Sequence, residues 1–173
     1  MRATILCGSA DENGFTRKMC NSAAQYLNSK GYLISFFELG DLEINHCRDC
    51  DGCKTESCII RDDMDHIYNS FSQSELLILS TPIHFSGPSS LLKTAMDRFQ
   101  PYWNDKTLSH PSKCIGLLCG GSEVPNFELT EKIFKAFCIT TGMDYLGSVK
   151  IPDTDNRSTD VVDEVQSVLS GLI

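Results

Sequence analysis

The sequence predicts an α/β fold: one open, doubly wound sheet of five parallel strands, with helices on both faces. Three observations lead there. Short apolar runs alternate with stretches of helical periodicity along the whole length. Four of the five runs are nearly continuous in apolar residues, as expected of strands buried on both faces of a parallel sheet. No repeat, low-complexity tract or linker interrupts the alternation, so residues 1–173 are expected to form a single domain with right-handed crossovers.

Ala3–Cys7 reads as the first strand. Cys20, Ala24 and Leu27 then share one face of a helix, with Gly31 at its C′ position. Tyr32–Phe37 is the second strand. Met64, Ile67, Tyr68 and Phe71 give the next helix, whose first turn holds Asp62 and Asp63, favourable for its dipole. Leu76–Leu79 is the third strand. Leu92, Ala95, Met96 and Phe99 line the third helix, where Lys93, Asp97 and Arg98 are spaced to form an ion-pair set. Ile115–Cys119 is the fourth strand, and Ile133, Phe134, Phe137 and Cys138 form the fourth helix, ended by Gly142. Leu146–Ile151 is the fifth strand. Val161, Val165, Val168, Leu169 and Leu172 close the chain as a helix capped by Ser158 or Thr159. Two connections are unusually long, 41–61 and 100–112, and such loops are commonly functional.

Composition narrows the function classes. Hydrophobic content of 41% and charged content of 22% suit a globular, water-soluble chain. A net charge of −8 argues against nucleic acid and anionic membrane as partners. No apolar run has the length of a membrane span, and the start of the chain lacks a signal-peptide pattern. Nine cysteines without an export signal point to a reducing, cytoplasmic compartment, where clustered cysteines serve metal or redox chemistry.

The stretch Cys7-Gly8-Ser9-Ala10-Asp11-Glu12-Asn13-Gly14-Phe15-Thr16 joins the first strand to the first helix. A small-residue turn rich in hydroxyls before a helix start suits a phosphate, because the helix N-terminus offers N–H donors and the positive end of a dipole. Ser9 and Thr16 can add hydroxyls. A P-loop needs Lys-Ser or Lys-Thr after its last glycine, and Phe15-Thr16 follows Gly14 here. The three-glycine dinucleotide fingerprint is also missing. A phosphomonoester such as that of FMN fits what remains; an ordinary βα loop is the bland alternative. Ligands of open α/β sheets bind at the carboxyl ends of the strands. There, Ser80-Thr81-Pro82-Ile83-His84-Phe85-Ser86-Gly87 follows the third strand and Cys119-Gly120-Gly121 the fourth. Paired glycines let backbone approach a planar ring closely.

Cys47, Cys50, Cys53 and Cys58 follow the pattern C-x2-C-x2-C-x4-C in the 41–61 loop. Four thiolates at this spacing are typical ligands of a [4Fe–4S] cluster. Zinc, a disulfide and free thiols are the competing readings. Cys7, Cys20, Cys114, Cys119 and Cys138 lie in or beside strands and helices and are expected to be buried apolar side chains.

On Gly8-Ser9 through Thr16, Thr81 to Phe85, Leu92-Lys93, Asp97-Arg98 and Gly120-Gly121, the chain resembles the NAD(P)H-dependent FMN reductase family of the flavodoxin-like fold over essentially its whole length. The cysteine spacing resembles that of the iron–sulfur flavoprotein branch. The resemblance implies strand order 2-1-3-4-5. It implies that Ser9, Asn13, Gly14, Phe15 and Thr16 hold the FMN phosphate, and that Thr81, Pro82, Ile83, His84, Phe85, Gly120 and Gly121 border the isoalloxazine. It further implies NAD(P)H as co-substrate and a homodimer or higher homo-oligomer. Many relatives carry tyrosine where this chain has His84, which is either a surface loop histidine or the one candidate in this loop for a catalytic proton carrier. Arg17 is placed either to reach the phosphate or to lie as a solvated charge. Tyr102 and Trp103, in 100–110, are the expected subunit contact.

Two functions follow as expectations. One is an FMN oxidoreductase or electron-transfer flavoprotein taking electrons from NAD(P)H or ferredoxin and passing them to a cluster, quinone or small acceptor. The other is a non-catalytic flavodoxin-like module that senses redox state or docks a partner through its thiol- or metal-bearing loop.

Overall fold

In the computed structural model, which describes residues 1–55 and 57–173, the apolar runs become β1 (Arg2–Cys7), β2 (Leu33–Glu38), β3 (Leu76–His84), β4 (Gly87–Pro88), β5 (Lys113–Cys119) and β6 (Asp144–Ile151). Five of these pair in parallel in the order β2-β1-β3-β5-β6. Counted without β4, this is the order expected. The addition is β4 itself, which folds back antiparallel on the end of β3 through Ile83 and His84.

The helices are α1 (Phe15–Ser29), α2 (Met64–Gln73), α3 (Ser90–Asp97), α4 (Gln100–Asn104), α5 (Phe127–Thr141) and α6 (Val162–Leu172). They divide into two layers because the strands carry apolar side chains on both faces. Ala3, Ile5, Ile78, Ile115 and Leu117 meet Met19, Ala23 and Leu27 of α1 and Val165 and Leu169 of α6. Leu6, Leu77, Leu79 and Leu118 meet Ile67 and Phe71 of α2, Met96 and Phe99 near α3, and Phe134 of α5. Burying each such large apolar side chain contributes roughly 1.5–3 kcal/mol. Gly142 ends α5 in the left-handed region, at φ +82°, as its C-terminal position demands.

Several expected details move. Asp63 is the N-cap of α2, and Asp62 precedes the helix, its Oδ2 paired with Arg98 and its Oδ1 accepting the Met64 N–H at 3.1 Å. Lys93 and Asp97 do pair, at 2.6 Å, but Arg98 leaves that set for Asp62. Neither Ser158 nor Thr159 caps α6, whose N-cap is Val161 with no side-chain bond. The connection 100–112 is not all loop: α4 occupies its start. Tyr102 there is 6% exposed, packed 4.9 Å from the Phe71 ring, and so belongs to the core rather than to a subunit contact. Trp103, at 59%, remains exposed. Among the described residues, no helix is long and apolar enough to cross a membrane.

Candidate functional site

At the carboxyl end of β1 the chain turns through Gly8, whose N–H bonds to the Ser80 carbonyl at 2.8 Å. A Cβ on Gly8 would lie 2.8 Å from both that oxygen and Leu92 Cβ, so only glycine fits between the two strands and α3. Beyond it, Asp11 organises the turn. Its Oδ1 accepts the Asn13 N–H at 3.0 Å, and its carbonyl accepts Gly14 N–H at 3.2 Å. Gly14 is the N-cap of α1 and supplies no side-chain cap. The first-turn N–H groups of α1 are therefore presented to the turn that carries Ser9 and Asn13. Thr16 is buried and its hydroxyl is committed to Cys119 Sγ at 3.1 Å, so its backbone N–H is what faces the turn. Arg17 goes neither to the turn nor to solvent, but pairs with Glu38 at the end of β2.

The β3 exit forms a second wall. Thr81 is buried, and its hydroxyl accepts the Ser89 N–H at 2.8 Å. Ser89 in turn donates to the Gly8 carbonyl at 2.6 Å and caps α3 at Leu92 N–H. Ser89 thus ties the β1–α1 turn to the β3 exit, a role its sequence context did not signal. Between β3 and β4, Phe85 and Ser86 both adopt positive φ, +50° and +64°. That is the conformation of a two-residue hairpin turn that normally selects Asn-Gly. It leaves Phe85 fully exposed and His84 beside it at the rim.

The third wall is Gly120-Gly121. Gly120 N–H bonds to the Ile151 carbonyl at 3.0 Å. A Cβ on Gly120 would come within 2.5 Å of Pro125, and one on Gly121 within 2.5 Å of the Asp155 carboxylate. The three loops named from sequence therefore meet along one sheet rim.

The cysteine loop starts at that rim. A Cβ on Gly40, just after β2, would sit 2.8 Å from Ala10 Cβ. From there the loop crosses the outer side of the α2–α3–α4 layer, where Cys47, Cys50, Cys53 and Cys58 line one small cavity. All four are free thiols. Asp49 and Asp51 take positive φ on either side of Cys50, and Gly52–Lys54 makes a single 3-10 turn. Asn104 of α4 donates to Cys53 Sγ at 3.3 Å. Burial pushes the Cys53 thiol up, partly offset by hydrogen bonds including that of Asn104. Among the described residues no three potential ligands stand close enough for a ready metal cage, so the expected convergence is on a shared cavity rather than a point. Free sulfur donors around one cavity, with an amide donor and a guanidinium in its wall, suit a sulfur-rich anionic group.

The guanidinium is Arg98. Its Nη1 bonds to Asp62 Oδ2 at 2.6 Å and to the Asn45 carbonyl at 2.8 Å, and its Nη2 to the Ile60 carbonyl at 3.1 Å. Burial opposes its charge, but Asp62 and the Tyr68 and Cys58 groups outweigh that and raise its pKa. The pair Asp97-Arg98 stood out in the sequence; Asp62 did so only for the start of α2, not as the partner of Arg98. Eight residues of α3 separate Arg98 from Ser89, roughly 12 Å of helix.

The remaining cysteines are buried, as expected. Cys7, directly under the first turn, has its pKa lowered chiefly by a hydrogen bond from Cys20, against the effect of burial. Burial holds Cys20 and Cys119 up.

The sequence model of a family described as NADPH-dependent FMN reductase matches residues 1–152. The chain belongs to the NADPH-dependent FMN reductase family. Relatives of this FMN reductase-family chain include an iron–sulfur flavoprotein of Archaeoglobus fulgidus, 30% identical over 109 residues that cover 62% of the chain and 50% of the relative. An iron–sulfur flavoprotein of Methanocaldococcus jannaschii is 38% identical over 100 residues, covering 57% and 50%. The chain therefore spans about half the length of the curated relatives it matches. A flavone reductase superposes with a TM-score of 0.74 at 19% identity, covering 99% of the chain and 62% of that structure, which shows the fold.

Proposed function

We propose that the chain is an FMN-dependent oxidoreductase that takes electrons from NAD(P)H or a ferredoxin-class protein. It passes them to a [4Fe–4S] cluster on its cysteine loop, a quinone or another small acceptor. The observation that carries this reading is the shared rim of the β1–α1, β3–β4 and Gly120-Gly121 loops, joined by Gly8 to Ser80 and by Ser89 to Gly8. Membership of the FMN reductase family supports it. When bound, FMN supplies hydride acceptance and single-electron release.

The residues would divide the work as follows. Ser9, Asn13 and the N–H groups of Gly14, Phe15 and Thr16 hold the phosphate. Thr81 fixes the β3 exit through Ser89, so that Pro82, Ile83, His84 and Phe85 line one edge of the ring. Gly120 and Gly121 let the backbone lie against it from the other side. His84 holds or releases a proton at the ring edge. Cys47, Cys50, Cys53 and Cys58 ligate the cluster. A homo-oligomer with Trp103 in its contact, working in a reducing compartment, completes the reading.

Protein purified without oxygen tests it. Flavin absorption with iron and sulfide at roughly four per chain, with both iron and sulfide lost in Cys50→Ala or Cys53→Ala, is the expected result. Absence of flavin after added FMN would sink the reading. A second reading, a thiol-sensing module without cluster, draws on the exposure of Cys50 as a free thiol. It requires bound FMN with no turnover by NADH, NADPH or reduced ferredoxin.

A further inference from the structure

Arg98 is a large, fully buried side chain, with its side chain 0% exposed and that of its partner Asp62 at 3%. Its bonds are unusual in their destinations. Nη1 reaches Asn45 O, two residues before Cys47, and Nη2 reaches Ile60 O, two residues after Cys58. One guanidinium therefore holds both ends of the four-cysteine segment. Its Nε is buried as well and has no acceptor among the described residues. An orphaned donor on a buried cation is costly, and in native structures such a group commonly marks a partner of another kind. The same side chain lines the cavity that all four cysteines line, with Arg48, Asp49 and Asp51 as the other charged groups in that wall.

We propose that Arg98 is the positioning residue of the group held by Cys47, Cys50, Cys53 and Cys58: its two Nη atoms pin the loop ends, and its Nε–H and charge face the sulfur-rich centre. This rests on the cluster reading above. Four thiolates bring several negative charges to one centre, and reduction adds one more. One electron enters from reduced flavin or a reduced ferredoxin-class donor; no bond forms or breaks and no proton moves. A guanidinium in the cavity wall lowers the energy of the more negative state and so raises the reduction potential. Lysine keeps the charge but cannot span Asn45, Ile60 and Asp62 at once.

The test uses the full chain purified without oxygen, as wild type, Arg98→Lys and the double variant Arg98→Met/Asp62→Asn. The double change removes a buried ion pair as a unit at similar volume, which folded proteins commonly tolerate, so it guards against a single variant that fails to fold. Iron, sulfide and flavin per chain, the melting temperature and the cluster midpoint potential are measured without substrate. Both variants are expected to keep wild-type flavin content while their iron falls or their cluster potential shifts lower, since both lose the Nε–H donor and the hold on the loop ends. Full iron loading at the wild-type potential in both overturns the role of Arg98 and leaves the cluster standing. Wild-type protein that is flavin-loaded but devoid of iron and sulfide overturns the cluster reading, and the inference with it.

Discussion

Thr16 Oγ1 and Cys119 Sγ, 103 residues apart in sequence, meet at 3.1 Å beneath the β1–α1 turn. The contact joins the first turn of α1 to the end of β5. It also turns the Thr16 hydroxyl away from the turn it was expected to serve. Thr16→Val keeps the shape and removes the bond, at a cost of about 1 kcal/mol read as a lower urea midpoint at unchanged slope. If the phosphate takes the backbone N–H here, FMN affinity should change by no more than about threefold. A loss beyond tenfold would assign the hydroxyl to the ligand.

Gly120 and Gly121 should respond differently to alanine. The new methyl at 120 meets the ring of Pro125, which cannot swing aside, whereas the one at 121 meets the end of the Asp155 side chain, which can. Gly120→Ala is expected to cost about 1–3 kcal/mol of stability and most of the flavin retained on gel filtration. Gly121→Ala should stay within about 1 kcal/mol. Equal effects would mean that the ring of Pro125 gives way.

Phe85 and Ser86 occupy left-handed positions at a turn whose Phe85 side chain is fully exposed, where Asn-Gly would be easier. Such strain, kept with a large apolar side chain in water, belongs to binding sites more than to scaffolds. Phe85→Asn/Ser86→Gly is expected to raise stability by about 1 kcal/mol while weakening FMN binding, measured by calorimetry on the same samples. Unchanged FMN affinity would remove Phe85 from the ring site.

Asp62 gives the fold an acid limit. Burial, the largest single effect, would raise its pKa, but hydrogen bonds from Arg98, Asn45 and Met64 together bring it from 3.8 to about 2. A carboxyl whose native pKa lies below the unfolded value stabilises the fold above the unfolded pKa. That stability is lost as pH falls from about 4 through 2, and amounts to roughly 2 kcal/mol. Urea midpoints across that window should fall steeply for the wild type. They should fall less for Asp62→Asn, which starts lower because Arg98 loses its counter-charge.

The parallel sheet and both helical layers were legible because apolar runs and periodic faces are local in sequence; the strand order followed only from the family resemblance. Elements too short to repeat a period were not: β4 has two residues and α4 five, and Tyr102 therefore looked like a surface aromatic instead of a partner of Phe71 and Phe99. At the site, the loops after β1, β3 and β5 could be named from glycine, hydroxyl and proline placement. The bonds that lock them could not. Ser89 to Gly8 and Arg98 to Asp62 depend on which strands and helices lie side by side, and a serine or an arginine at a helix end gives no sign of a partner 81 or 36 residues away.

The clamp on the cysteine loop also sets an order of events at the ribosome. Cys58 leaves the ribosome some 40 residues before Arg98, so at ordinary synthesis rates the four thiols stand as loose, unguarded nucleophiles for roughly 2–8 s before the side chain that gathers them emerges. During that interval the nascent chain is open to oxidation and to stray metal. An oxidant present then, and absent later, would leave its damage at Cys47 to Cys58, while the five thiols of the core would be sheltered once their strands had paired.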